Sequence, residues 1–207
     1  MKTRWIVMSL CAAVMIAVGG LQAAKEDGEK KFKATCPVSG KPAKETSVVE
    51  AKSGDKVYFC CDNCPKAYKA NPKKFETKVN AQLLETGQVV QVACPITGKP
   101  TKEDTAVEIA GSKVAFCCHN CEGKVKKADD DGKVKIAFAK AAFDKGFTHQ
   151  TKCPVSGKPI NAEHHVDYKG QKVYFCCPNC PGAFEKAPEK FVAKLPQFAK
   201  AGDTAKE

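Results

Sequence analysis

The sequence predicts an α+β protein of three small tandem modules, each a cysteine turn, a β-hairpin and a C-terminal helical segment. Three observations carry this reading. Twelve of the 13 cysteines fall into three groups of four. Cys36-Pro-Val-Ser-Gly-Lys-Pro42 recurs as Cys94-Pro-Ile-Thr-Gly-Lys-Pro100 and Cys153-Pro-Val-Ser-Gly-Lys-Pro159. Lys56-Val-Tyr-Phe-Cys-Cys-Asp-Asn-Cys64 recurs as Lys113-Val-Ala-Phe-Cys-Cys-His-Asn-Cys121 and Lys172-Val-Tyr-Phe-Cys-Cys-Pro-Asn-Cys180. The first cysteines lie 58 and 59 residues apart, and 23, 22 and 22 residues separate each from its cysteine pair. Chance drift does not hold such a spacing three times, so the chain is read as a repeat.

The modules are placed at 34–85, 92–146 and 151–200, the second of them divergent. A unit of under 60 residues buries too little surface to be comfortably stable alone, and usually needs a metal or disulfides. Within each, Cys-Pro-x-Ser/Thr-Gly reads as a tight turn, because glycine accepts a positive φ. A strand follows, at 47–51 in the first copy. Then come a glycine turn (Ser53-Gly54-Asp55, Gly111-Ser112, Gly170-Gln171) and a second strand ending at the cysteine pair. After the cysteines, Phe75, Val79 and Leu83, or Phe191, Leu195 and Phe198, recur at helical spacing. Pro72 and Pro188 are expected to divide these segments into two short helices.

The N-terminus reads as a leader. Lys2 and Arg4 precede an uncharged, mostly apolar run at 5–18, then Gly19, Gly20 and Leu21-Gln22-Ala23-Ala24, so 1–23 is assigned as a secretory signal peptide. Nothing after it approaches the roughly 20 apolar residues that span a bilayer. The mature chain is therefore expected to be secreted or periplasmic, without stable membrane insertion after cleavage. Polar ends at 25–31 and 201–207 are expected to lack fixed structure.

Composition narrows the function. At 43% hydrophobic and 28% charged residues the chain is not wholly disordered. Formal net charge is +11, of which Lys2 and Arg4 supply +2, leaving +9 for the rest. Arg4 is the sole arginine, so the bidentate guanidinium contacts of phosphate and base recognition are missing, and no nucleic-acid partner is expected. No nucleophile–base–acid set or phosphate loop occurs, so no enzymatic activity is expected.

The cysteines carry the chemistry. Exported thiols face oxidation and must be paired or occupied by metal. A soft-metal site needs thiolates brought together from two places, here the turn and the strand-to-helix junction. Helix starts and nearby lysines are expected to lower the junction thiols' pKa values. The candidate ligands are Cys36, Cys60, Cys61 and Cys64; Cys94, Cys117, Cys118 and Cys121; and Cys153, Cys176, Cys177 and Cys180. Four thiolates around a divalent ion carry −2, so the lysine excess reads as a counter-charge for such clusters. The metal would be zinc (Zn2+), with copper(I) (Cu+) or another thiophilic metal as alternatives.

Cys-Pro-x-Ser-Gly, a hairpin, then Val-Tyr-Phe-Cys-Cys-x-Asn-Cys resembles the TRASH and YHS domain family. The resemblance covers all three segments. It implies treble-clef or zinc-ribbon-like modules associated with heavy-metal sensing, trafficking and resistance. The family's pattern, one turn cysteine and a Cys-x-x-x-Cys pair at the helix start, maps onto Cys36, Cys60 and Cys64; Cys94, Cys117 and Cys121; and Cys153, Cys176 and Cys180. Its Pro-x-x-Phe maps onto Pro72 to Phe75 and Pro188 to Phe191. Two features depart from it. Many such modules place their turn cysteine where this chain has Ser39, Thr97 or Ser156, and each copy here adds Cys61, Cys118 or Cys177. The sequence leaves open which three, or whether all four, bind. The middle copy departs further, with Asp129 to Asp131 in place of the proline segment and Val125 where Tyr68 and Phe184 stand.

The function so implied is an exported protein that binds, buffers or delivers a thiophilic metal ion. Two other readings use the same cysteines: a disulfide-stabilised secreted interaction module, and a thiol–disulfide redox protein. Adjacent cysteines in every copy count against the first, and a 58-residue unit cannot hold a thioredoxin framework. His119 could supplement the middle site, whereas His149, His164 and His165 read as linker or polar surface.

Overall fold

The computed structural model describes residues 32–51 and 53–199, so the expected leader and both polar ends lie outside the described residues. Each cysteine turn is closed by its own backbone. The amide of Gly40 donates to the carbonyl of Cys36 at 2.9 Å and the amide of Cys36 to that of Lys41 at 2.8 Å; Cys94 and Cys153 repeat the pattern. Gly40, Gly98 and Gly157 take φ of 72°, 73° and 74° there, a conformation that glycine alone adopts without cost.

Three antiparallel hairpins follow the turns: β1 (Lys44–Glu50) with β2 (Lys56–Phe59), then, after the short β3 (Val90–Gln91), β4 (Lys102–Ile109) with β5 (Ser112–Phe116). The third pairs β7 (Asn161–Tyr168) with β8 (Gln171–Phe175), while β6 (Phe147–Thr148) pairs with β3. The first strand starts at Lys44 rather than 47. Lys44 still pairs with Phe59, and the register shifts between Lys44 and Val48, so the strand reaches the cysteine end through an irregularity that sequence alternation does not mark. The second and third hairpins turn in two residues, Ala110-Gly111 and Lys169-Gly170. All four have positive φ, as a type I′ turn requires, so each turn is centred one residue earlier than the glycine suggested.

Helices follow every cysteine pair. In the first copy α1 (Asn63–Ala70) leads into α2 (Pro72–Glu85). In the second α3 (His119–Lys126) precedes α4 (Asp130–Phe138) and α5 (Lys140–Gly146). In the third α6 (Asn179–Lys186) precedes the one-turn α7 (Glu189–Val192) and α8 (Pro196–Ala199). The expectation of two short helices needs correcting in the first copy, where α2 runs 14 residues. Pro72 opens α2 at N1, where its missing N–H costs nothing, and Asn71 caps it by accepting from the amide of Lys74. The middle copy breaks without proline because Asp129 caps α4 through the amide of Gly132.

Two cores result. One is continuous across the first two copies: Phe59, Val79, Leu83, Val114, Phe116, Phe138, Phe143 and Phe147 are all buried in it. Helix α2 lies against α4, the Asn80 side-chain amide donates to the carbonyl of Phe138 at 3.0 Å, and β3 joins β6. The third copy keeps its own core of Val173, Phe175, Phe184 and Leu195, flanked by Phe191 and Phe198. The phenylalanine before each cysteine pair anchors its hairpin, fully buried at Phe59, Phe116 and Phe175. No helix among the described residues is long and apolar enough to cross a membrane.

Candidate metal centres

The closed turn and the end of the hairpin meet at sulphur. In each copy three thiols converge with all Sγ atoms within 4.8 Å of one another: Cys36, Cys60 and Cys64; Cys94, Cys117 and Cys121; Cys153, Cys176 and Cys180. The first and last of each trio are buried and the middle one half-buried. The sulphurs of Cys60 and Cys64 lie 3.6 Å apart, Cys117 and Cys121 3.8 Å, Cys176 and Cys180 3.7 Å. An ion with ~2.3 Å bonds to tetrahedrally arranged sulphurs holds them about 3.8 Å apart. The donors therefore fit a thiophilic metal in chemistry and in spacing.

Cys61, Cys118 and Cys177 fall outside these trios but beside them. Cys61 lies 3.5 Å from Cys64, Cys177 3.5 Å from Cys180, and Cys118 3.8 Å from Cys117. All 12 cysteines among the described residues are free.

A hydroxyl faces each trio. Ser39 Oγ is 3.1 Å from Cys60 Sγ, Thr97 Oγ1 3.2 Å from Cys117 Sγ and Ser156 Oγ 3.1 Å from Cys176 Sγ. Each of these oxygens also accepts from the amide two residues on, which holds the hydroxyl beside the sulphur. Burial resists charge on Cys36, Cys94 and Cys153, but the hydroxyl and neighbouring amides outweigh it and hold these thiols down at about 7. Helix-start amides, those of Cys64, Cys121 and Asn179 foremost, lower Cys61, Cys118 and Cys177 from the ordinary thiol value. The expected lowering does not extend to the last cysteine of each copy. Burial, then the adjoining thiols, pushes Cys64 and Cys121 up to about 12 and raises Cys180 likewise. Three sulphurs this close cannot all be charged without a cation between them.

Three glutamines fix the geometry, and sequence reasoning missed them. Gln82 Oε1 accepts from the amide of Tyr58 at 2.9 Å, while Nε2 donates to the carbonyls of Tyr58 at 2.7 Å and Thr35 at 2.8 Å. Gln91 makes the same three bonds to Ala115 and Ala93, and Gln150 to Tyr174 and Lys152. Each amide clips the second strand of a hairpin to the residue before the turn cysteine. Gln91 and Gln150 stand three residues before Cys94 and Cys153, which the repeat could have revealed. The first copy has Lys33 at that place and draws Gln82 from α2 instead.

The histidines stay out of the trios. His119 turns to Glu122 (2.8 Å) and Asp104 (3.7 Å), and Glu122 foremost raises its pKa. His149 pairs with Asp55 at 3.1 Å, and His165 lies 2.7 Å from Lys172 Nζ.

Residues 151–194 match the family model of the YHS domain. The match spans the third cysteine turn, its hairpin and α6, and so includes Cys153, Cys176, Cys177 and Cys180. The two preceding copies repeat the YHS-matching segment's motif and its sulphur geometry. No curated protein matches the chain significantly, and no solved structure does.

Proposed function

We propose that this chain is an exported, non-enzymatic protein that binds, buffers or delivers a thiophilic metal ion, with the ion as cargo. One observation carries the reading: three copies of the motif each bring three sulphurs from the same two places to metal-ligand spacing. The YHS match in the third copy supports it. Export is supported by the leader pattern at 1–23. Zn2+ is the ion we favour for tetrahedral thiolate donors, and Cu+ or another soft ion would also suit three thiolates.

The copies are not equivalent. In the middle one the extra cysteine leans toward Cys117, and the hydrogen-bonded His119 and Glu122 side chains lie on the helix that carries Cys121. Titration of the reduced chain with cobalt(II), followed through thiolate charge-transfer bands, should saturate at three ions, with two matched affinities and one outlier. Three indistinguishable affinities contradict the divergence of the middle copy, and absence of the bands contradicts metal binding. The rival redox reading draws on the 3.5 Å approach of Cys61 to Cys64 and Cys177 to Cys180. It requires those pairs to cycle as disulfides, which peptide maps under non-reducing conditions would show.

A further inference from the structure

The trio of each copy uses one cysteine fewer than the copy contains, and the surplus thiol always occupies the same place, one residue after the hairpin's last cysteine. We propose that Cys61, Cys118 and Cys177 are exchange thiols, through which a thiophilic ion passes between the buried trio and a competing soluble ligand. This rests on the metal-binding reading above.

Access and distance carry the proposal. Within the first copy Cys36 and Cys64 are buried, Cys60 is held by the Ser39 hydroxyl inside the trio, and Cys61 is exposed. Of the four sulphurs Cys61 is the exposed one, and so the one a soluble ligand meets most readily. Cys61 Sγ lies 3.5 Å from Cys64 Sγ, about one tetrahedral edge, so a single ion can touch both. Cys177 Sγ repeats the distance, 3.5 Å from Cys180, while Cys118 Sγ lies 3.8 Å from the middle trio member Cys117; both surplus thiols are half-buried there, so the exposure of Cys61 is particular to the first copy.

In the step, a bond from the ion to the Cys61 sulphur forms as its bond to the Cys64 sulphur breaks. Cys61 gives up its thiol proton, the displaced Cys64 takes one up, and no electron moves. A competing ligand then replaces the remaining sulphurs in turn. Uptake is the reverse.

A resident fourth ligand and an exchange thiol make opposite predictions. The full chain carrying C61S, C118S and C177S together should be loaded with zinc and mixed with excess chromogenic chelator in a stopped-flow instrument. The expected result is three bound ions, as in the wild type, released about tenfold more slowly, equivalent to ~1.4 kcal/mol on the barrier. Release at the wild-type rate overturns the proposal. Faster release, or fewer than three ions, identifies the surplus thiols as resident ligands and also overturns it. A wild-type chain that takes up no zinc and no cobalt contradicts the metal reading itself, which separates that failure from this one.

Discussion

Burial decides how many protons each trio gives up on taking a metal. Cys64 and Cys121, pushed up to about 12, keep their protons at any physiological pH until an ion replaces them. Cys36, held at about 7, is half ionised at neutrality. Both must be thiolates to bind. Between pH 7.5 and 9 the metal association constant should therefore rise at least about tenfold per pH unit, from the Cys64 proton alone. Below pH 7 the slope should steepen as Cys36 becomes mostly protonated as well. Competition titrations at several pH values test this, and a flat profile contradicts it. Gln82 makes a different prediction. Gln82→Leu keeps the bulk but strands the amide and carbonyl of Tyr58 and the carbonyl of Thr35. Each buried polar group so abandoned costs about 1–3 kcal/mol. Denaturant melts should show a loss of that order, with the first site's affinity falling alongside, while the third site stays unchanged. The cysteines were legible because their spacing repeats. Gln82 was not, because it reaches Thr35 from 47 residues away and its place in the repeat holds lysine.

At the scale of elements, capping explains what proline alone did not. Asn71 and Asp129 start α2 and α4 by the same hydrogen bond to the amide three residues on. Asp129→Ala should cost about 1 kcal/mol, the usual worth of such a cap, in an equilibrium urea melt. Asp129→Asn should recover most of it, because the amide oxygen can still accept. A null effect of the alanine variant would mean that Asp131, paired with Lys78 of α2 at 3.4 Å, positions the helix instead. The hairpins were readable from the alternation and glycine that flank each cysteine pair. Their edges were not, since the irregularity between Lys44 and Val48 and the placing of Ala110 and Lys169 at positive φ depend on cross-strand register rather than on local residue type.

At the largest scale, the sequence suggests three tandem modules, the second divergent, and the buried side chains of the first two share one hydrophobic cluster while the third has its own. Nothing local distinguishes Leu83 or Phe138 from residues serving a single copy, and their joint burial arises only once α2 meets α4. Phe138 is fully buried, and Phe138→Ala should cost about 3–5 kcal/mol. Its effect should reach both trios that flank the shared core, so that the first and second sites lose metal together while the third keeps its ion. Loss of the second site alone would show that the first two copies fold separately. Hydrogen exchange on the wild type should agree, with one cooperative opening for the first two copies and another for the third. The central claim is that the three cysteine trios hold metal. Native mass spectrometry of the full chain, purified untagged and anaerobically, tests it most directly because it counts ions and oxidised cysteine pairs in one spectrum. The account predicts three metal ions with every cluster cysteine unoxidised; a metal-free chain whose mass and peptide map place disulfides within the clusters would contradict it.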